Sequence, residues 1–378
     1  MESSPQHPRI IVVGAGIIGA SLAFHLSRRP VRLSVLDRAE PGSGASSHSF
    51  AWINTSAGKE PASYHDLNRR SVDMWDRFAR SLAADVGLRW GGELRWTTTP
   101  AEAEELRAAV AVLQRRGHHS RLLNEAECQA LEPGLRLDRF VLGALSPNDA
   151  QVDPARVIRA CLGQVRAQGG TVEAHTEVRG FRLEGAPPRV TAVQTGKGEL
   201  ACDLVVLAAG VEATRLAGLL GMHLPQQRSP GVVVWTDPQP PVLKRLAVLN
   251  APALDSEQPG IHICQRPDGT VIIGEGSQER LASDDSQAHA DALLARAAGY
   301  LPALAAARAR PLPVGYRPMP LDGYPVLGLS KAVPNVYLAV THSGVTLAPL
   351  VGEYGAIEIL DGVSVDLLAP YRVERFGR

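Results

Sequence analysis

Three glycines, Gly14, Gly16 and Gly19, and an acid, Asp37, 18 residues beyond the last of them, have the types and spacing that hold a dinucleotide. The first glycine permits a tight turn, the second lets the backbone approach a pyrophosphate, and the third lets a helix pack closely on the preceding strand. Ile17 and Ile18 stand between them, where a helix N-terminus offers free N–H groups and its positive dipole end to phosphate. Asp37 suits ribose hydroxyls and argues against a 2′-phosphate, although the adjacent Arg38 pulls the other way. Either FAD or NAD satisfies this much.

Elsewhere the residues able to do chemistry are few. Arg317 carries a planar guanidinium fork that suits a bidentate carboxylate contact, with a salt bridge as the plainer alternative. His48 and His342 lie in loops and His262 on a hairpin strand from which it could face a substrate, and for each a hydrogen-bonded structural role competes with a chemical one. The cysteines, Cys128, Cys161, Cys202 and Cys264, are at least 33 residues apart, which excludes CxxC motifs and gives no disulfide framework.

The elements around the glycines fall in the required order. Residues 9–13 form a β-branched strand, 20–29 a helix, and 31–36 a second strand closed by Asp37. A Gly/Ser-rich loop, 39–49, precedes helices at 63–82 and 100–116, a short one capped by Asn124, and one from Pro154 that ends at Gly169. A strand is expected at 171–178, and 203–208 reads as one buried on both faces, ending in Ala209 and Gly210. Residues 261–273 predict a hairpin about Pro267-Asp268-Gly269, and the chain closes with a strand at 336–340, a loop at 341–344 and a helix to about residue 360.

Composition narrows the function classes. At 378 residues, two domains are expected. Basic and acidic residues balance at 39 each, so no net field attracts nucleic acid or an anionic membrane. The apolar run 10–13 is too short for a signal segment or a membrane span, and the expectation is a cytoplasmic protein. Only four of the basic residues are lysines: Lys59, Lys197, Lys244 and Lys331.

The glycine fingerprint, the loop Gly44-Ala45-Ser46-Ser47-His48, residues 203–210, Gly315-Tyr316-Arg317-Pro318 with Asp322-Gly323, and the block His342-Ser343-Gly344-Val345-Thr346-Leu347-Ala348-Pro349 together resemble the D-amino-acid oxidase/glycine oxidase/sarcosine oxidase family of flavoproteins. The resemblance spans nearly the whole chain and makes FAD the expected cofactor. It implies an α/β fold: a Rossmann-like FAD-binding domain with the GxGxxG turn, plus a mostly antiparallel β-sheet substrate domain with helices. The FAD-binding domain is expected at 1–85, 145–222 and 313–378, and the substrate domain at 86–144 and 223–312.

By the same resemblance, Ser46, Ser47 and His48 run beside the isoalloxazine, Val178 meets the adenine through its backbone, and Gly344, Val345 and Thr346 present N–H groups to the flavin C2 carbonyl and N1. Arg317 matches the substrate-carboxylate clamp, with His48 and His342 nearest the flavin. His48 also matches a histidine that dimethylglycine dehydrogenases attach to flavin, whereas Gly315 replaces the cysteine that links flavin in sarcosine oxidases. The implied reaction moves a hydride from a small amine or amino acid to FAD, then electrons to oxygen or another oxidant. A larger or cyclic amine, or a subunit active only in a hetero-oligomer, are the alternatives. Sarcosine oxidases carry an oxygen-promoting lysine on the strand after the hairpin turn. Here that place falls at or beside Ile272, so faster turnover with a dye or quinone than with air is expected unless His48 or Lys59 supplies the charge.

Overall fold

The run Ile10–Val13 has no polar side chain to leave at a surface, and Arg9–Val13 becomes an inner strand of a six-stranded sheet. The computed structural model describes residues 7–56, 59–253, 259–276 and 283–377; the polar start of the chain, before residue 7, lies outside the described residues. The sheet runs Val326–Leu329, Val336–Val340, Leu204–Leu207, Arg9–Val13, Arg32–Leu36, Thr171–Glu173. All neighbours are parallel except the antiparallel first pair. Their near-continuous Val, Ile and Leu content fits a sheet covered on both faces.

Eight α-helices are described: α1 (Ile17–Ser27), α2 (Ala62–Ser81), α3 (Pro100–Arg115), α4 (Glu125–Leu131), α5 (Pro154–Ala167), α6 (Ala213–Leu219), α7 (Gln287–Tyr300) and α8 (Gly344–Asp361). Thr99 and Asn124 cap α3 and α4 with reciprocal Glu102 and Glu127 bonds, and Asp153 caps α5. Helix α8 packs on α1 at close range, because Ser21 Oγ donates to the Ala348 carbonyl at 2.7 Å and a side chain at Gly352 would meet that hydroxyl at 2.2 Å.

A second, eight-stranded sheet is ordered Ala309–Pro311, Val233–Thr236, Val271–Glu275, Ile261–Gln265, Val248–Ala251, Glu93–Thr97, Leu142–Ser146, Arg121–Leu123. Only Val248–Ala251 and Glu93–Thr97 pair in parallel. Leu249, Ile261, Ile263, Val271 and Ile273 bury one face of it with Leu293, Leu294 and Ala297 of α7. The expected hairpin is present, and its turn closes with a bond from Arg266 N to the Thr270 carbonyl.

Two expectations needed correcting. The single strand at 171–178 is two: Thr171–Glu173 ends in the large sheet, His175 turns the chain at φ +51°, and Val178–Glu184 starts an antiparallel three-stranded sheet with Arg189–Thr195 and Gly198–Ala201. Nor does the chain end with its last α-helix. Two 3-10 turns, Asp366–Tyr371 and Val373–Phe376, follow Gly362, and Arg372 bonds Glu358 and the Leu327 carbonyl.

The first turn of the large sheet is closely packed backbone on backbone. Gly14 has φ +103°, and a methyl group at Gly19 would sit 1.9 Å from the Gly14 carbonyl oxygen. Gly19→Ala must push α1 off the strand, so thermal unfolding should show a loss of about 1–3 kcal/mol. Unchanged stability would mean the turn is looser than described.

Candidate active site

One cavity of about 1140 Å³ runs from the turn after Arg9–Val13 across to the second sheet. At its start, α1 has Gly16 as N-cap, which has no side chain to cap it, and no acid in its first turn. The Ile17 N–H meets Ser46 Oγ at 3.1 Å. Gly14, Gly16, Ile17, Ile18, Gly44, Ala45 and Ser46 all line this stretch, where a bound phosphate would find N–H groups and a hydroxyl.

Asp37 lines the cavity too, and it also ties its own loop. One carboxylate oxygen accepts from Ala15 N at 2.7 Å and the other from Ala39 N at 2.9 Å. Arg38 turns to Glu212 at 3.1 Å, and Glu212 also meets Arg215 at 3.1 Å. With Arg38 so engaged, its argument for a 2′-phosphate weakens. Val178 and Ala209 with Gly210 complete this end, and Arg215 donates to the Val178 carbonyl at 3.3 Å.

At the other end the first turn of α8, Gly344, Val345 and Thr346, faces the cavity, again without an acidic residue or a side-chain cap. Its register is fixed from behind: Ser71 Oγ and Trp75 Nε1 donate to the Thr346 carbonyl, and Asn54 N donates to Thr346 Oγ1. Ser343 Oγ is held by Lys59 Nζ at 2.9 Å and Tyr64 OH at 3.0 Å. His342 is half-buried on the same wall. Burial foremost, then the charges of Lys59 and Arg317, push it down to about 3, so it is neutral at any ordinary pH.

Arg317 also lines the cavity, its Nη2 donating to the Pro230 carbonyl at 2.7 Å and its backbone N to Ser229. These bonds orient the guanidinium. His48 Nδ1 lies 3.0 Å from both Ser47 Oγ and the Gly44 carbonyl, and its Cβ occupies the space a side chain at 315 would need, 2.4 Å from that Cβ position. Glycine at 315 is therefore required by His48. His262 packs against the rings of Phe50 and Trp52, at 5.8 and 5.5 Å, which also touch each other, with Nε2 3.1 Å from the Gly276 carbonyl.

Behind this wall lies a buried polar set. Asp149 accepts from Trp52 Nε1, Thr55 N and Ser56 Oγ, and Glu93 accepts from Arg95 and from the cavity-lining Asn250. Burial, with the charge of Glu93 next, raises the Asp149 carboxyl well above the usual range.

Of the residues expected at the site, two do not line the cavity. Gly19 is under the turn, and Ser47 spends its hydroxyl on the Ser43 and Gly44 carbonyls, which shape the loop. Sequence reasoning missed Phe50, Trp52, Asn54, Asn250 and Glu275, which arrive from segments with no motif. Lys59 was noted only as a substitute charge, yet it is 6% exposed and on the wall. Ile272 packs instead against Val233, Ala247, Val248 and Cys264; from its strand and the turn after it, Gly274, Glu275 and Gly276 reach the cavity. The ground for expecting slow reaction with air, the lack of a cation, is thereby removed.

Comparison with known proteins gives the same picture. Residues 9–356 match the family described as FAD dependent oxidoreductase. The chain is 28% identical to one of the component chains of the opine oxidase of Rhizobium meliloti, over 97% of this chain and 96% of that one. It is 26% identical to glycine oxidase of Geobacillus kaustophilus, over 97% and 96%. The solved structure of L-proline dehydrogenase from P. horikoshii superposes with a TM-score of 0.84, at 21% identity over 99% of this chain and 98% of that one, a likeness of fold. The cavity also fits the cofactor: it is long, meets two helix N-termini that carry no acid in their first turns, and has the Asp37 carboxylate on its wall. The chain belongs to the family of FAD-dependent oxidoreductases.

Proposed function

We propose that the protein takes a hydride from the carbon next to the nitrogen of a small amine or amino acid, leaving an imine, and passes the electrons to oxygen or another oxidant. The observation that carries this is Arg317, oriented by the Ser229 and Pro230 carbonyls on the same cavity as the first turn of α8. Relatives named for opine and glycine oxidation support the substrate class. FAD, when bound, supplies the two-electron acceptor.

The chain's own residues would bind and orient. Gly14, Gly16, Ile17, Ile18, Gly44, Ala45 and Ser46 are assigned to the pyrophosphate and its linker, Asp37 to the ribose, Val178, Ala209 and Gly210 to the adenosine end, and Gly344, Val345 and Thr346 to the flavin pyrimidine edge. Arg317 holds the carboxylate, and the aromatic wall of Phe50, Trp52 and His262 excludes water from the reacting carbon. His48 packs against Gly315 beside the ring, and His342 acts as a neutral neighbour. We divide the chain into an FAD-binding domain, 1–85, 145–222 and 313–378, and a substrate domain, 86–144 and 223–312, because the six-stranded sheet draws its strands from the former and the eight-stranded sheet nearly all of its strands from the latter. Four free, buried cysteines support a reducing, cytoplasmic location. No helix among the described residues is long and apolar enough to cross a membrane.

Denaturation should release FAD, identified by chromatography; FMN would remove the reading of Asp37 and the glycine turn. A flavin that stays on the chain would implicate His48 in a covalent link. Arg317→Met should weaken binding of carboxylate inhibitors by about 1.5–3 kcal/mol, roughly 10- to 150-fold, with FAD retained. Equal affinity in the variant would take Arg317 out of substrate binding.

Because its proton is already lost near pH 3 in the folded protein, His342 should give no limb in the pH profile of substrate oxidation between pH 5 and 8. An acid limb that disappears in His342→Asn would contradict this. Its lowered pKa also means that its stabilising share is present above the unfolded value near 6.5 and is lost as pH falls toward 3.

A further inference from the structure

Lys59 has an unusual setting for a lysine. It is buried against the cavity, its ammonium bonded to a neutral hydroxyl, Ser343 Oγ, at 2.9 Å and standing 5.5 Å from the centre of the Tyr64 ring. No carboxylate lies within ion-pair distance of it among the described residues; Asp149 acts on it only as a more distant charge. A buried ammonium without an anion is costly, which is why burial lowers its pKa to about 8.

The surroundings point the same way. Ser343 is the N-cap residue of α8, so Lys59 and the positive end of that helix act on one spot. The neighbouring histidine, His342, is kept uncharged there, and the Arg317 guanidinium adds a second positive charge to the same field. This end of the cavity is suited to hold negative charge.

We propose that Lys59 is the fixed cation that holds the negative charge acquired by the bound flavin on reduction. The inference rests on the proposed reaction. There the C–H bond next to nitrogen breaks and its electron pair leaves with the hydrogen as hydride. A neutral amine thus becomes an iminium with one positive charge, and the cofactor gains one negative charge. A preorganised cation at that end favours the reduced side of the balance without moving any proton. Lys59 comes from the segment before α2, so it can act at the pyrimidine edge through Ser343 while the strand Val271–Glu275 contributes no cation.

The test is the midpoint potential of FAD bound to the wild-type protein and to Lys59→Met, Lys59→Gln and Lys59→Arg. The account expects Met and Gln to shift the two-electron equilibrium at least tenfold toward oxidised flavin, about 30 mV lower, while Arg restores most of the loss. Gln keeps a donor for Ser343, so it carries the measurement if Met fails to hold FAD. A potential unchanged in both neutral variants, with only a lower melting temperature, would make Lys59 structural and overturn the proposal. An unchanged potential with weakened carboxylate binding would make it a substrate ligand and overturn it equally. A wild-type protein that holds no FAD at all would instead sink the proposed function.

Discussion

Two helices, α1 and α8, begin at one cavity without a cap from their own N-cap side chains and with no acid in the first turn; at α1 the Ile17 N–H meets the neutral Ser46 hydroxyl. The positive ends of both dipoles therefore face the same space, which is favourable only when anionic groups occupy it. Much else in the large sheet serves this arrangement. Gly19 lets α1 start directly under the turn, Ser21 fixes α8 against α1, and Ser71 with Trp75 holds the Thr346 carbonyl from behind. The two helices are joined to the sheet by strands 9–13 and 336–340, both inner strands, each with at least one parallel neighbour.

The dinucleotide half was legible because its demands are local. A turn that must bring backbone near phosphate needs glycine at fixed offsets, and the acid must follow one strand later; both patterns survive in sequence order. The hairpin expected at 261–273 was legible for a similar reason, as short apolar runs about Pro267-Asp268-Gly269. The strand at 171–178 was misread because nothing in its composition marks the turn at His175, where a non-glycine residue adopts φ +51°. The C-terminal 3-10 turns were missed because they are held by Arg372 reaching Glu358 and Leu327, contacts between segments far apart or out of helical phase.

The reaction half was only partly legible. Arg317, His48 and His342 stood out through family resemblance, but their settings did not: His48 as the reason 315 must be glycine, and His342 as a histidine silenced by burial and two cations. Phe50, Trp52 and Asn250 carry no motif; Trp52 and Asn250 reach the wall through the buried set of Asp149, Glu93 and Arg95. Long-range packing of this kind leaves no periodic trace. The Val271–Glu275 strand carries no lysine, yet Lys59 borders the same cavity, since a charge can reach it from any segment that lines it.

The central claim is that a substrate amine delivers its electrons directly to FAD in this cavity. Mixing the oxidised holoprotein without oxygen against a panel of small amines and amino acids tests it without assuming an acceptor. The account predicts that at least one member bleaches the flavin absorbance, with about one equivalent of imine-derived product per flavin. A flavin that no amine or amino acid reduces, yet that is reduced by NADH or NADPH, would contradict it.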